Sequence, residues 1–522
     1  MKGTKILWAD DEIELLKPHI IFLKSKEFDV TAVNNGDEAI ELARTNHFDI
    51  IFLDEQMPGI SGIDALIEIK SFKPDIPVIL ITKSEEENIM EAAIGAKISD
   101  YLIKPVNPNQ ILLALKKNLK QKELISTQTT SKYQSEFTKL GIEMQNANSH
   151  EEWTEMYKKL VYWELELEAS GGDQNMSDIL QMQKKEANNG FARFVKKNYL
   201  DWFLETTKDR PLLSQNVVKQ KLIPQIKTGK QTCFIVIDNL RYDQWISIRP
   251  ELQDFFTITD DSLYYSILPT VTQYARNSLF AGLMPITIEN FYQNLWLNDE
   301  DEGLKNQYEE DLFNSQLKRN GITEKVFFEK VSAVSAGKKL PEKMQSIINS
   351  KISVIIYNFI DSLSHARTEM DMIKELASDE KAYRSLTTSW FKNSPLLEVM
   401  KELSNQGITV VLTTDHGSIN VNTPVKIIGD RNTTSNLRYK QGKTLQYNPK
   451  EVFEIKQPKL AHLPACHLSS TYVFTCGNDF FAYPNNYNHY VKYYKDTFQH
   501  GGISLEEMII PLVTLEPKSS KN

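Results

Sequence analysis

The stretch VVLTTDHGSI, Val410 to Ile419, sets the reading of this chain. An apolar, β-branched run of the kind that fills a strand buried on both faces passes through two threonines and stops at an acid beside an imidazole. The same form occurs twice earlier: CFIVIDN, Cys233 to Asn239, reaches Asp238, and VIIYNFID, Val354 to Asp361, ends at Asp361. Such strands suit a mainly parallel sheet, whose crevice lies outside the carboxyl ends of its strands. Asp238, Asp361 and Asp415 are therefore expected along one sheet edge.

Three of the nine histidines join these acids. His416 adjoins Asp415, and His365 follows Asp361 at a spacing of four, which sets both on one side of a helical turn. His500 lies in FQHGGISLEEM, Phe498 to Met508, where Gly501 and Gly502 allow close backbone approach. Converging carboxylates call for a cation, and a mixed carboxylate and imidazole set suits Zn2+ or Mn2+ better than Mg2+. This many ligands suits two metals about 3.5–4 Å apart. SILPTVTQYARNSLF, Ser266 to Phe280, offers Thr270 and Thr272 as nucleophiles, since a metal-bound threonine needs no adjacent base. Taken singly, a strand-ending Asp is more often a turn or helix cap.

The order Asp, Thr, Asp-x-x-x-His, Asp-His, His resembles the ligand order of the alkaline phosphatase superfamily, in its PglZ branch. The resemblance assigns Asp238, Thr272, Asp415 and His416 to one zinc and Asp361, His365 and His500 to the other. It favours Thr272 over Thr270 as the nucleophile, because the nucleotide phosphodiesterase branch carries a similar Pro-Thr-x-Thr and uses its second threonine. The serine and magnesium site of alkaline phosphatases proper have no counterpart, so diester cleavage is expected over monoester hydrolysis. Arg276, one helical turn beyond Thr272, is the candidate for gripping substrate phosphate.

The first 122 residues alternate strand and helix: KILWADD, VTAV, DIIFLD, PVILIT and DYLIKP are each followed by a helix, the pattern of a doubly wound parallel sheet. Its strand ends carry Asp10, Asp11, Asp54, Thr82 and Lys104. Crowded carboxylates suit Mg2+, which would shield Asp54 for attack on a phosphoryl group. The segment resembles a CheY-like two-component receiver. That resemblance makes Asp54 the phosphoacceptor, Asp10, Asp11, Asp54 and the Gln56 carbonyl the magnesium ligands, and Thr82 and Tyr101 the switch pair, with a sensor histidine kinase as donor.

Between the two lies a charged, strand-free stretch. Ser149-x-x-Glu152 reads as a capping box opening a helix through Trp153 to Ser170; a second helix is expected from about Ser131 and a third over Ser177 to Phe203. The fold class is thus α/β: a receiver at 1–122, a three-helix bundle linker at 123–212, and an alkaline-phosphatase-like α/β domain at 213–522. At 522 residues, with 41% hydrophobic and 25% charged content, several cores are expected. No stretch approaches a membrane span, and Met1 to Asp10 lacks a secretory apolar region, so a cytoplasmic location is expected. The three cysteines, Cys233, Cys466 and Cys476, lack zinc spacing. A net charge of -9 and no helix-turn-helix signature argue against duplex DNA.

The whole domain order resembles the response regulators of type IX secretion. That resemblance implies a sensor kinase, an alternative sigma factor and phosphodiesterase activity on linear or cyclic oligonucleotides. Homodimerisation on phosphorylation is the expected coupling. The rival is a non-catalytic protein whose metal-stabilised domain docks a sigma factor; a phosphotransferase or mutase would share the metals. KIIGDRNTTSNLRYKQGK, Lys426 to Lys443, with Lys426, Arg431, Arg438, Lys440 and Lys443, reads as a solvated loop or a basic lid. FFAYPNNYNHYVKYY, Phe480 to Tyr494, reads first as core or edge strand and second as a surface that stacks bases.

Overall fold

The computed structural model describes residues 3–83, 98–171, 174–298, 301, 303–370, 373, 375, 379–429, 433–465, 467, 469–485 and 487–518. Arg431, Cys466 and the helix expected after Thr82 lie outside these. The chain divides into two compact units, Met1–Gln134 with Glu166–Met176, and Ser135–Leu165 with Ser177–Asn522. Among the described residues no helix is long and apolar enough to cross a membrane.

In the first unit β1 (Lys5–Ala9), β2 (Asp29–Val33), β3 (Ile50–Asp54), β4 (Val78–Thr82) and β5 (Asp100–Ile103) form a parallel sheet in the order β2-β1-β3-β4-β5. All five residues of β3 and of β4 are buried, as a sheet covered on both faces requires. Leu7, Leu53 and Leu80 pack on one face, and Trp8, Phe52 and Ile79 on the other. The parallel direction brings Asp10, Asp54, Thr82 and Lys104 to one edge.

The helix after β5 runs unbroken from Pro108 to Asn146, so the helix expected from Ser131 is its continuation. Nothing in that span breaks it: after Pro108 it contains no further proline, and its one glycine, Gly141, falls near the end. The next helix, His150–Ala169, starts with the expected capping box: the Glu152 N–H donates to Ser149 Oγ, and Glu152 Oε2 accepts from the Ser149 N–H. The third, Gln174–Asn198, stops short of Phe203, and a separate turn spans Asp201–Phe203.

In the second unit a six-stranded sheet has the order β7-β18-β10-β6-β9-β8. Here β6 is Thr232–Ile237, β7 Phe256–Tyr265, β8 Val326–Val331, β9 Ile352–Tyr357, β10 Thr409–Thr413 and β18 Ile509–Pro517. Strands β8, β9, β6 and β10 are parallel, while β18 and β7 run antiparallel along one side. Every residue of β6, β9 and β10 is buried. Each fully buried Ile, Val or Leu contributes about 1.5–3 kcal/mol. Beyond this sheet are β11 (Ile419–Val421) paired with β17 (Thr497–Gln499), β12 (Thr423–Lys426) with β16 (Asp479–Ala482), and β13 (Tyr439–Gly442) and β14 (Phe453–Ile455) flanking β15 (Thr471–Phe474).

A buried ionic network ties the middle helices to helices Tyr242–Ile248, Glu380–Lys392 and Leu505–Met508 of the same unit. Lys184 lies 2.8 Å from Glu164 and 3.8 Å from Glu506, and Arg384 pairs with Glu164 at 3.2 Å and Asp243 at 2.8 Å. Asn188 Nδ2 donates to Glu506 Oε2 at 3.0 Å. Ion pairs this deep hold only where every member keeps a partner.

Candidate active site

Because β10, β6 and β9 are parallel neighbours, Asp238, Asp415 and the start of the Phe359–Glu369 helix leave one edge together. All six predicted acids and histidines fall into two groups. Asp238, Asp415 and His416 form one, and Asp361, His365 and His500 the other; within each, one ligand atom per residue lies within 4.8 Å of the rest. The groups adjoin, since the His416 and His500 rings stack at 4.3 Å.

His416 is buried and His500 half-buried, and both imidazoles are oriented by the backbone. His416 Nδ1 faces the Gly417 carbonyl at 3.1 Å, and His500 Nδ1 faces the Thr270 carbonyl at 3.3 Å. A carbonyl only accepts, so each Nδ1 carries the proton and each Nε2 lone pair is left for the cavity. His416 Nε2 lies 3.8 Å from Asp238 Oδ1 and 3.7 Å from Asp415 Oδ2; His500 Nε2 lies 3.6 Å from Asp361 Oδ1. Gly417 is required where it stands, because a Cβ there would come within 2.0 Å of the Glu506 carbonyl oxygen. At Gly501 the backbone φ is +122, which L side chains rarely adopt.

The two threonines separate. Thr270 Oγ1 is fully buried, donating to the Gly502 carbonyl at 3.0 Å and accepting from the Gly501 N–H at 3.0 Å. Thr272 Oγ1 lies 3.3 Å from His416 Nε2, in the first turn of the Thr272–Ala281 helix. That end of a helix presents free N–H groups and the positive end of its dipole, which favours an anion.

The electrostatics are those of a site short of positive charge. Burial, reinforced by Asp238, pushes Asp415 up to about 6, and the same two causes raise Asp361. Burial would lower His416, but Asp415, Asp238 and Asp361 outweigh it and raise it. Asp238 Oδ1 and Asp415 Oδ2 are buried, and no hydrogen-bond donor reaches them among the described residues. Two such carboxylate oxygens facing an imidazole nitrogen whose partner is the Thr272 hydroxyl fit a divalent cation. The second group offers one carboxylate and two imidazoles, with the His365 side chain 61% exposed, which fits a metal with an open coordination position.

Arg276 corrects its expectation. The guanidinium is fully buried, with Nη1 2.7 Å from Asp238 Oδ2 and Nε 2.5 Å from Glu309 Oε1, so it is held by carboxylates and not offered to a substrate. Lys330 closes the set 2.9 Å from Glu309. The basic segment also divides: Arg438 is buried against Glu507 at 2.6 Å, and Lys440 is buried with Nζ donating to the Thr434 carbonyl, while Lys426 and Lys443 are exposed. Glu309, Lys330, Glu507 and Asn239 went unnoticed in the sequence because no spacing marks them; Asn239 Nδ2 reaches Asp361 Oδ1 at 3.4 Å.

In the receiver, Lys104 Nζ bridges Asp10 Oδ2 and Asp54 Oδ1, both at 3.0 Å. Asp10, Asp11 and Glu12 group their oxygens within 4.8 Å, with Asp11 and Gln56 exposed. Thr82 Oγ1 donates to Glu55 Oε2 at 2.6 Å, and Tyr101 is 40% exposed.

Three family profiles match: a response regulator receiver domain over residues 6–116, the PorX response regulator linker domain over 123–203, and the BREX system PglZ alkaline phosphatase-like domain over 217–515. The transcriptional regulatory protein ResD of Bacillus subtilis is 32% identical over 143 residues, 27% of this chain and 59% of ResD. SrrA of Staphylococcus aureus is 32% identical over 134 residues, 26% of this chain and 53% of SrrA. The chain thus spans little more than half the length of these relatives. Among solved structures, a receiver domain protein from Clostridium thermocellum is 28% identical, with a TM-score of 0.22, covering 23% of this chain and 98% of its own. The receiver domain of the sensor histidine kinase PA1611 of Pseudomonas aeruginosa PAO1, solved with magnesium coordinated in its active site cleft, is 26% identical, with a TM-score of 0.22, covering 22% and 98%. Receivers take their phosphoryl group from a donor such as a histidine kinase, and alkaline-phosphatase-like domains are metalloenzymes. The chain belongs to the PglZ family of alkaline phosphatase-like domains, in the PorX arrangement that joins such a domain to a response regulator receiver.

Proposed function

We propose that the C-terminal domain is a two-zinc phosphodiesterase and that phosphorylation of Asp54 by a sensor histidine kinase regulates it. The observation that carries this reading is Thr272 Oγ1 standing 3.3 Å from His416 Nε2 beside two buried, undonated carboxylate oxygens. Asp238, Thr272, Asp415 and His416 would hold one zinc, and Asp361, His365 and His500 the other. When bound, the ions lower the pKa of the threonine hydroxyl and offset charge on the phosphoryl oxygens. Thr272 Oγ attacks phosphorus, the P–O bond to the leaving alcohol breaks, and water then cleaves the phosphothreonine at phosphorus, returning the hydroxyl. The amino end of the Thr272–Ala281 helix faces the phosphoryl group, while Arg276 and Asn239 hold Asp238 and Asp361 in place.

In the receiver, Asp10, Asp11, Asp54 and the Gln56 carbonyl would hold Mg2+, with Thr82, Tyr101 and Lys104 reading the phosphorylated state. Oligonucleotides, linear or cyclic, are the substrates this reading assigns, with homodimerisation on phosphorylation, a sigma factor partner, a cytoplasmic location and a role in type IX secretion. A purely structural metal domain gives Thr272 no task, which favours catalysis over the docking alternative. The test is hydrolysis of bis-p-nitrophenyl phosphate by wild type and by Thr272→Val. Loss of at least 100-fold with zinc retained supports the reading, whereas equal rates overturn it.

A further inference from the structure

The segment Phe480–Tyr494 does not fold as read. Phe480, Phe481 and Ala482 are buried in β16, but Tyr487–Tyr494 forms a separate surface helix, none of whose eight residues is buried. It carries four tyrosines and a histidine. Tyr490 and Tyr493 are 38% and 42% exposed, and Tyr490 and Tyr494 lie within 10° of parallel. Tyr487, Val491 and Tyr494 pack against the cluster of Ile419, Val421, Phe480 and Ala482, so the rings left open are those of His489, Tyr490 and Tyr493, which lie against one another, an unusual grouping for a face meant for water.

Two further features point to the same ligand. No carboxylate occurs between Asp479 and Asp496 in a chain of net charge -9, while Lys492 and Lys495 are exposed on this stretch. A cleft of about 430 Å³ adjoins the start of the helix, lined by Lys426, Gln446, Tyr447, Glu451, Pro484 and Tyr487, with the Lys426 ammonium 5.2 Å from the Tyr487 ring and Glu451 its one carboxylate among the described residues. Open rings, lysines and a cleft of ligand size are the chemistry that takes flat bases joined by phosphates. The helix also leads into the active site: five residues, Lys495 to Gln499, separate Tyr494 from His500, a span of at most about 20 Å.

We infer that the Tyr487–Tyr494 helix and its cleft are a binding subsite for single-stranded nucleic acid, stacking bases that lie a few nucleotides from the scissile phosphate. The inference rests on the phosphodiesterase reading for its role in turnover, though not for binding. Tyr490 and Tyr493 would set substrate length; neither touches the reacting phosphorus.

The test compares full-length wild type with Tyr490→Ala/Tyr493→Ala and with Tyr490→Trp/Tyr493→Trp. The readouts are kcat/KM on hexathymidylate and on bis-p-nitrophenyl phosphate, hexathymidylate binding by fluorescence anisotropy, and sedimentation. The alanine pair should raise KM for hexathymidylate about tenfold, lower the ratio of the two kcat/KM values to match, and weaken binding, with the tryptophan pair restoring all three. An unchanged ratio and unchanged binding overturn the subsite. A shift in oligomeric state without a shift in binding also overturns it, assigning the rings to a second copy of the chain. If wild type cleaves neither compound yet binds hexathymidylate through the tyrosines, the subsite stands and the phosphodiesterase reading falls.

Discussion

Nη1 of Arg276 lies 2.7 Å from Oδ2 of Asp238, deep enough that neither side chain meets solvent. A fixed cation therefore occupies one oxygen of a candidate ligand and leaves Oδ1 turned toward His416. Arg276→Met would strand the carboxylate of Asp238 in the interior and leave Glu309 to Lys330, at a cost of about 3–5 kcal/mol. A lower denaturation midpoint is expected, partly recovered in Arg276→Met/Glu309→Met. An unaltered midpoint in the single variant would show that the pairing is dispensable.

Glu507 acts one step behind His500. It accepts from Arg438 Nη2 at 2.6 Å and from the Gly502 N–H at 2.9 Å, fixing the turn that carries His500. Glu507→Ala should weaken zinc affinity of the Asp361, His365 and His500 group about 10- to 100-fold while the other group keeps its metal. Chelator competition with two resolved zinc affinities measures this, and equal weakening of both would refute it.

Asp54 gives the receiver a pH dependence. Burial pushes its carboxyl up to about 6, with Lys104 opposing and Asp10 and Asp11 assisting. The folded state then binds the Asp54 proton more tightly than the unfolded chain between about pH 4 and 6, so magnesium-free stability falls as pH rises through that window. Asp54→Asn, or saturating Mg2+, should flatten this part of the curve of thermal midpoint against pH. Parallel curves for wild type and Asp54→Asn would contradict it.

Thr82 donates to Glu55 at 2.6 Å, a bond to a charged acceptor worth about 1.5–3 kcal/mol that must break if Thr82 turns toward a phosphorylated Asp54. Glu55→Ala should therefore lower the beryllofluoride concentration for half-saturation by roughly tenfold. An equal or higher requirement would show that this contact does not restrain the switch.

The strands leading to Asp238 and Asp415 were legible because fully buried parallel strands read as continuous apolar runs, and because parallel direction alone sends their ends to one edge; Asp361 reaches that edge from the first turn of the Phe359–Glu369 helix, since β9 stops at Tyr357. His416 and His365 were legible from spacing. Arg276 was misread because spacing on a helix gives the face of a side chain and not its partners: Glu309, from a segment without signal, claims it. The helix expected from Ser131 was misread because Pro108–Asn146 carries no break, and the Tyr487–Tyr494 helix because tyrosines suit strands and surface helices alike.

The proposed activity requires seven side chains from separate segments to hold two cations side by side. Anomalous diffraction at the zinc edge, with metal analysis of the same crystals, tests that most directly. Two peaks are predicted, one within bonding distance of Asp238, Thr272, Asp415 and His416 and one of Asp361, His365 and His500. Crystals grown with zinc that show neither peak, with these residues closed on one another, would contradict it.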